Sequence, residues 1–584
     1  MNAIRLRMHA ASIWLGLLSF AVAGTAPWYA AAEPVRAESQ MVVAANPHAS
    51  EAGIRILRAG GSAVDAAIAV QLVLSLVEPQ SSGIGGGAFL LHFDAPEDGT
   101  MAAEVAAYQG REAAPAAATP DMFLDSRGNE RSFAEVGFGG LSVGVPGVMR
   151  MLELAHAEHG RLPWADLFVP AIELAELGFD VSPRLYFLLD WFKNSARAEA
   201  FKSHYYDADG EAHVTGHRLI NLEYAATLRL LAREGAEAMY RGPLAEAIVD
   251  AVTDNAVLAG RMTLADLASY RAERVAPLCT PYRQWRVCGP RPPSSGGVAV
   301  QQILGMLATF DLPALSDDAV TAIHLVSEAS RLAFADRNYY LGDPDFVAAP
   351  AAELLSPAYL QARAALIDPA AALDTVMHGI PATPVGLDYA PSALTELTST
   401  SHLSIVDRWG DAVSMTSSVQ GAFGSQLMVG GFILNNQLTD FSFEPAAGGR
   451  PVANAAAAGK RPLSSMSPTI VLDERGRLRV LIGSPGGTRI INFVVQALIG
   501  VLDWGLDIEA AVAAPHFVAR DEPIELEEGS DLLAYADALR ALGHDVVERN
   551  LNSGLHGIVV DYREEGSRLS GGVDPRREGL AIGD

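Results

Sequence analysis

The chain has 584 residues, half of them hydrophobic, and a formal net charge of −27. That length can bury a large core in one domain or several, and the composition is that of an ordinary globular protein. So acidic a chain is a poor partner for nucleic acid or an anionic membrane surface, whereas binding of a small substrate depends on local charge and stays open.

The N-terminus reads as a processing signal. Arg5 and Arg7 form a basic region, Ala10–Ala23 is apolar apart from Ser12 and Ser19, and Ala30-Ala31-Ala32 offers a small-residue cleavage site before Glu33. Residues 1–32 are therefore expected to direct export to the periplasm or beyond and to be removed, with an uncleaved membrane anchor as the alternative. No later stretch reads as a transmembrane helix. Met41–Ala45 reads as a strand and Ala49–Arg58 as a helix stopped by Gly60-Gly61. Ser62 and Asp65 have the spacing of a capping box. The helix that follows is apolar nearly all round and is expected to be buried.

Gly83-Ile84-Gly85-Gly86-Gly87 precedes the strand Ala88–Phe93 instead of opening a helix, and no acidic residue completes a dinucleotide pattern. It therefore reads as close backbone approach beside a core strand. Arg111 follows in Tyr108-Gln109-Gly110-Arg111-Glu112; a lone Arg is usually solvated, but its planar fork also suits a carboxylate. Residues 144–178 and 182–260 read as mostly helical and carry no evident chemistry, and Met262–Tyr270 resembles a short capped helix. Cys279 and Cys288 flank a Pro-containing turn, and they form either a hairpin disulfide, which fits export, or two separate buried thiols. With no His nearby, a metal site there is not expected.

Pro290–Gly297 is a Pro/Gly-rich loop entering the helix Val298–Thr309, and its Ser294-Ser295 pair has no base nearby, so it reads as structural. Asp317–Tyr339 reads as a helix with His324 and Glu328 on one face. No second His completes a metal register, so an internal hydrogen bond or ion pair is expected. Residues 344–398 are Pro/Ala-rich and loop-like. Three strands are then expected near Leu403–Asp407, Ala412–Ser418 and Gly431–Asn435. Ser418, Gln420, Asn435, Asn436, Gln437 and Asp440 lie at or just beyond their ends, a rigid polar edge suited to a small-molecule site. After Phe443–Gly459, of low complexity, Ser464-Ser465 lead into a hairpin, Thr469–Leu472 and Leu478–Ile482. Gly483-Ser484-Pro485-Gly486-Gly487 then turns into a helix near Ile490, where backbone N–H groups can point at a developing oxyanion. Asp507–Val512 and Leu532–Leu542 read as helices.

From about Met41 to the C-terminus these motifs, in this order, resemble the gamma-glutamyltranspeptidase family (glutathione hydrolases), N-terminal-nucleophile amidases made as one chain and cut in two. The family's nucleophile stands before a Ser/Thr-His pair, which falls here on Thr400-Ser401-His402. The resemblance implies an α+β fold, a four-layer αββα sandwich built jointly by a large chain (33–399) and a small one (400–584). It implies Thr400 as nucleophile, its hydroxyl bonded by Ser418 and its oxyanion held by the N–H groups of Gly486 and Gly487. A Thr at a new N-terminus carries its own α-amine as base. Arg111, Ser464 and Ser465 would take the substrate's α-carboxylate, and Asp440, Gln437 and Gln420 its α-ammonium.

The implied partners are glutathione and other gamma-glutamyl compounds, amino-acid or peptide acceptors, and the two chains of one precursor. Neither a metal nor an organic cofactor is implied. Ser401 and Ser418 stand where Thr is common, which keeps donor and acceptor. Gln420 stands where Asn or Glu is usual, which alters the ammonium side of the pocket. The loop after Phe443 lacks an aromatic lid residue, which implies open acceptor access. Two other readings remain: a cephalosporin or glutaryl-amide acylase of the same fold, and an uncut periplasmic gamma-glutamyl-binding pseudoenzyme.

Overall fold

The computed structural model describes residues 33–96, 103–254, 258–382, 388–392, 399–564 and 566–584. The expected signal segment, 1–32, lies outside the described residues. No helix among those described is long and apolar enough to cross a membrane.

Two seven-stranded sheets organise the chain. We number their strands β1 (Val35–Ala37), β2 (Met41–Ala44), β3 (Gly87–Asp94), β4 (Glu104–Gly110), β5 (Glu273–Val275), β6 (Leu278–Tyr282) and β7 (Trp285–Gly289). The rest are β8 (Ser401–Val406), β9 (Ala412–Ser418), β10 (Thr469–Leu472), β11 (Leu478–Gly483), β12 (His556–Tyr562), β13 (Ser567–Val573) and β14 (Leu580–Gly583). One sheet runs β14-β2-β8-β9-β3-β4-β5 and the other β1-β13-β12-β11-β10-β7-β6. Neighbours in both are antiparallel.

Strand alternation builds the layers. Leu403 and Ile405 of β8, with Val413 and Met415 of β9, pack against helices α1 (Pro47–Arg58) and α2 (Ala63–Val77). Val406 and Ala412 turn the other way and meet Ile470, Leu481 and Ile558 of the second sheet. The outer face of that sheet, through Val471, Val480 and Ile482, is covered by α3 (Gly296–Leu307), α4 (Ala319–Tyr340) and α5 (Ile490–Leu502). The result is the expected αββα sandwich.

Local chemistry explains several elements. The Ser62–Asp65 capping box is present, with Asp65 N donating to Ser62 Oγ at 3.1 Å and Ser62 N to Asp65 Oδ2 at 2.9 Å. Every residue of α2 is buried, as its all-round apolarity requires. Cys279 and Cys288 stand directly opposite on β6 and β7 and form the hairpin disulfide. The glycine run is close backbone approach: a Cβ on Gly85 would lie 2.1 Å from Ile433 O, and one on Gly86 2.1 Å from Ser418 O. One expected strand does not form as such. Of Gly431–Asn435, Phe432–Ile433 pairs with Met428–Val429 in a separate ribbon and Leu434 makes a single bridge to Gly85. Beyond it Asn435 and Asn436 turn inward, their side chains bonded to backbone at Gly85, Gly137, Gly144 and Gly421. Leu532–Leu542 likewise divides into a 3-10 turn, Asp531–Tyr535, and a short helix, Ala536–Ala541.

At the polar end of β8 the two sheets come close together, His402 of one meeting Gly483 of the other. His402 lies between them, Nδ1 2.8 Å from Thr416 Oγ1 and Nε2 3.1 Å from Ser404 Oγ. Burial holds its pKa well below the ordinary value, with His556 adding to the effect, so it is a neutral packing group. A Cβ on Gly483 would stand 2.3 Å from the His402 ring. Gly483→Ala is therefore expected to destabilise the fold by about 1–3 kcal/mol, the cost of overpacking a close-packed core. The urea midpoint of the variant against the parent measures it.

Candidate active site

β8 and β9 set the centre of the site. Ser401 pairs with Ser417, so Thr400 and Ser418 face each other one step further along the ladder, on the side turned toward the second sheet. Thr400 Oγ1 lies against the carbonyl oxygen of Ser399, the residue before it, and 3.1 Å from Ser418 Oγ. Ser418 Oγ also stands 3.0 Å from that carbonyl and accepts from Gln420 N at 2.8 Å. A hydroxyl, the backbone carbonyl it lies against and a second hydroxyl bonded to that carbonyl thus come together at the ends of two paired strands. Such placement removes most of the entropic cost of an intramolecular acyl shift.

A small cavity adjoins Thr400, lined by Ser399, Ser418, Gln420, Gln437, Asp440, Ser464, Ser465 and Gly487. Eight of the ten residues expected from sequence, counting Thr400 itself, therefore meet at one point. Gly486, with φ +135, and Gly487, with φ +60, adopt backbone conformations that favour glycine and start a 3-10 turn into α5. Opening N–H groups of such a turn lack carbonyls within it to bond.

Arg111 lies behind the cavity wall instead of lining it. It is fully buried, and Nη2 donates to Asp440 Oδ2 at 2.5 Å and to Leu463 O at 3.0 Å. Nε donates to Pro462 O and Nη1 to Glu112 Oε2, both at 3.0 Å. The residues expected to receive a carboxylate and an ammonium therefore hold each other. Gln420 Nε2 completes Asp440 by donating to Oδ1 at 3.1 Å. The amide oxygens of Gln420 and Gln437 are buried without a partner among the described residues, leaving two acceptors available for a donor in the cavity.

The Ser464-Ser465 segment is braced from behind by the Pro/Gly-rich loop. Ser295 Oγ donates to Ser464 O at 2.7 Å and Ser294 Oγ to Met466 O at 2.6 Å, so that loop is structural, as read from sequence. Two buried arginines were not anticipated. Arg337 of α4 donates from Nη2 to Ser465 Oγ at 2.8 Å, and Arg577 from Nη1 to Thr400 O at 3.0 Å. Burial of an Arg is the only signal that would single them out, and it is tertiary. His324 and Glu328 do not bond each other: His324 meets His544 and Asp368 O, and Glu328 meets Arg331. Glu328, Glu522 and His544 do converge, but Arg331 Nη1, 2.6 Å from Glu328 and 3.2 Å from Glu522, puts a guanidinium at the point a cation would take.

One guanidinium between two buried carboxylates leaves a surplus negative charge. Burial pushes Glu112 up to about 8, against the pull of Arg111, and Asp440 is also raised by burial. Glu112 therefore holds a proton in the fold that the unfolded chain, near 4.5, releases. The folded state binds more protons across that window, so this contribution to stability is full below about pH 4.5 and lost as pH rises through about 8. Glu112→Gln is expected to remove that slope, flattening the fall in urea midpoint between pH 5 and 8. An unchanged slope would assign the proton elsewhere.

Comparison with known proteins places this geometry in a wider set. The family profile described as Gamma-glutamyltranspeptidase matches residues 49–584. The chain is 35% identical to a glutathione hydrolase proenzyme of Bacillus subtilis (strain 168), over 96% of both chains. It is also 35% identical to an acylase ACY 1 proenzyme of Pseudomonas sp. (strain V22), over 94% of both. The crystal structure of a cephalosporin acylase from Bacillus halodurans superposes with a TM-score of 0.83 at 28% identity, covering 96% of this chain and 98% of that one.

Proposed function

The chain belongs to the gamma-glutamyltranspeptidase family, and on that premise we propose that it cuts itself between Ser399 and Thr400 and then transfers gamma-glutamyl groups from glutathione and related amides to water or to amines. The observation that carries this reading is Thr400 Oγ1 set against the Ser399 carbonyl with Ser418 alongside. Residues 1–32 would be lost on export to the periplasm or beyond, leaving chains 33–399 and 400–584.

In maturation Thr400 Oγ adds to the Ser399 carbonyl carbon. The C–N bond breaks as the C–O bond forms, and the nitrogen becomes the free α-amine of Thr400. Water then hydrolyses the ester. That amine, with an ordinary pKa near 8, serves as base in turnover. It takes the Oγ proton as Thr400 attacks the gamma-glutamyl amide and passes it to the departing amine, cysteinylglycine in the case of glutathione. The N–H groups of Gly486 and Gly487 hold the oxyanion. Water or an acceptor amine then displaces Thr400 from the ester.

The head group is zwitterionic, and so is its proposed receptor. Asp440, with the amide oxygens of Gln420 and Gln437, takes the α-ammonium. Ser464, Ser465 and the Arg111 charge take the α-carboxylate. Ser399 lines the cavity in the uncut chain, so withdrawal of the segment ending there makes room for the acyl group.

Expression of the full precursor should yield two chains, the larger starting at Glu33 and the smaller at Thr400, by intact mass and N-terminal sequencing. Thr400→Ala should remain one chain and lose turnover of a gamma-glutamyl anilide by more than about 10⁴-fold, the scale seen when a nucleophile is removed. A wild-type chain that folds but stays uncut would instead favour the binding-protein reading.

A second reading, acylase action on glutaryl amides or cephalosporins, is favoured by one observation. Asp440 is already matched by Arg111, and Gln420 adds no charge, so the ammonium side is close to neutral. Asp440→Asn separates the two readings. A gamma-glutamyl enzyme should lose about 10- to 100-fold in kcat/KM on the gamma-glutamyl anilide, the worth of a charge-assisted hydrogen bond, and little on the glutaryl anilide. An acylase should prefer the glutaryl anilide before the change and keep it afterwards.

A further inference from the structure

Asn454, in the low-complexity loop after Phe443, ties together the two halves of the receptor proposed above. It is buried, its Nδ2 donating to the main-chain oxygen of Asp440 at 2.6 Å and its Oδ1 accepting from Leu463 N at 3.0 Å. Asp440 belongs to the ammonium side of that receptor, and Leu463 directly precedes Ser464 on the carboxylate side. A third bond, from Ser442 N to Asn454 O at 3.0 Å, fixes the loop to the stretch just after Asp440. One amide thus spans two segments that must stand at a set separation to grip a zwitterion.

The loop around Asn454 has little packing of its own, because Ala455–Ala458 offer only methyl groups. Lys460 supplies the missing anchor. Its Nζ donates to Ala453 O at 2.7 Å and Ala455 O at 2.8 Å, the carbonyls on either side of Asn454. Lys460 is 4% exposed, and a buried amine must satisfy its donors inside the protein. These two carbonyls do so, with the Phe346 ring 5.9 Å from Nζ. Burial lowers its pKa to about 8, against the pull of Asp343, so the ammonium form prevails at neutral pH and both bonds are charge-assisted. The backbone of Lys460 is held in turn, Ala114 N donating to its oxygen at 2.8 Å and Gly459 N to Ala114 O at 3.1 Å. Lys460 itself does not line the cavity at Thr400.

We propose that Lys460 is a positioning residue for the amino-acid head group: it clasps the carbonyls of Ala453 and Ala455, orients Asn454 between them, and so sets the separation of Asp440 from Ser464. The inference rests on the gamma-glutamyl reading above. Loss of the clasp leaves every receptor group present but lets the two sides drift. That weakens a ligand that must reach both sides at once and spares one that needs only the carboxylate side. L-Glutamate and glutarate differ in this way, since they share a carbon chain and its two carboxylates, and glutamate alone adds the α-ammonium.

The test uses the mature two-chain enzyme, a gamma-glutamyl anilide as substrate, and L-glutamate and glutarate as competitive inhibitors. Lys460→Met removes the donors and keeps an unbranched apolar stem. It should raise KM for the anilide and Ki for glutamate about tenfold, the worth of one charge-assisted contact, with kcat and the Ki for glutarate little changed. Lys460→Gln, which retains N–H donors on a shorter stem, should recover part of the loss. Asn454→Ala should match Lys460→Met, and the double variant should be no worse than either, because both act on one link. A Lys460→Met enzyme with the wild-type preference for glutamate over glutarate and only a lower thermal midpoint would make the lysine a loop stabiliser and overturn the role. Losses that multiply in the double variant would overturn it too. Asn454→Ala probes the link with the lysine intact, so an unchanged preference there sinks the idea even where Lys460→Met folds poorly. A wild type that binds glutamate no better than glutarate would instead overturn the gamma-glutamyl reading itself, and this role with it.

Discussion

The buried guanidinium of Arg111 is the constraint around which the site is arranged. A charge with no exposed surface is tolerated only when it is paired and its donors are satisfied. Arg111 meets that demand with Asp440, Glu112 and the carbonyls of Pro462 and Leu463. Those partners come from three separate stretches of chain, so satisfying one side chain fixes the end of β4, the turn before Phe441 and the approach to Ser464 relative to each other. Loss of one partner of such a buried pair typically costs about 3–5 kcal/mol, because the other charge is left uncompensated. The arrangement is a brace as much as the receptor proposed above.

That double role marks the limit of what could be read from the residues alone. The chemistry of Arg111 is visible in sequence: a guanidinium suits a carboxylate. Which carboxylate is not visible, because Asp440 lies 329 positions away and only the fold brings it within reach. Local signals transferred well. The Ser62 capping box, the period of β8 and β9, and the Cys279–Cys288 hairpin each depend on neighbours within a few residues or on one turn. Gly431–Asn435 failed because its apolar run reads as a strand, whereas the side chains of Asn435 and Asn436 bond backbone on both sides and stop the extension. Arg337 and Arg577 escaped for the opposite reason. A lone Arg reads as solvated, and nothing local reports that it is buried against Ser465 or Thr400.

The same argument separates His402 from Thr400, two residues apart on one face of β8. A His beside a nucleophile invites the role of base. Here burial keeps the ring uncharged, and both ring nitrogens are engaged with hydroxyls of its own sheet, on β8 and β9. Its contribution is spacing, since Gly483 meets the ring so closely that no side chain could stand there. With His402 occupied, the base in the proposed mechanism is one the intact chain does not possess, an amine at position 400.

Creating that amine requires breaking the backbone, and the topology makes the break harmless to the fold. In the sheet β14-β2-β8-β9-β3-β4-β5, a cut before Thr400 would assign β2, β3, β4 and β5 to one chain and β8, β9 and β14 to the other. The strands of the two chains would interleave, and each of β2, β8, β9 and β3 would keep both its neighbours. The Arg111 brace would likewise span the cut, with Arg111 and Glu112 on one side and Asp440, Pro462 and Leu463 on the other. Ladder hydrogen bonds, inter-sheet packing and a buried ion pair would therefore do the work of the peptide bond if it were cut. What a cut does change is confined to the cavity. The carbonyl against which Thr400 lies would become a chain end, and the nitrogen beside it a base.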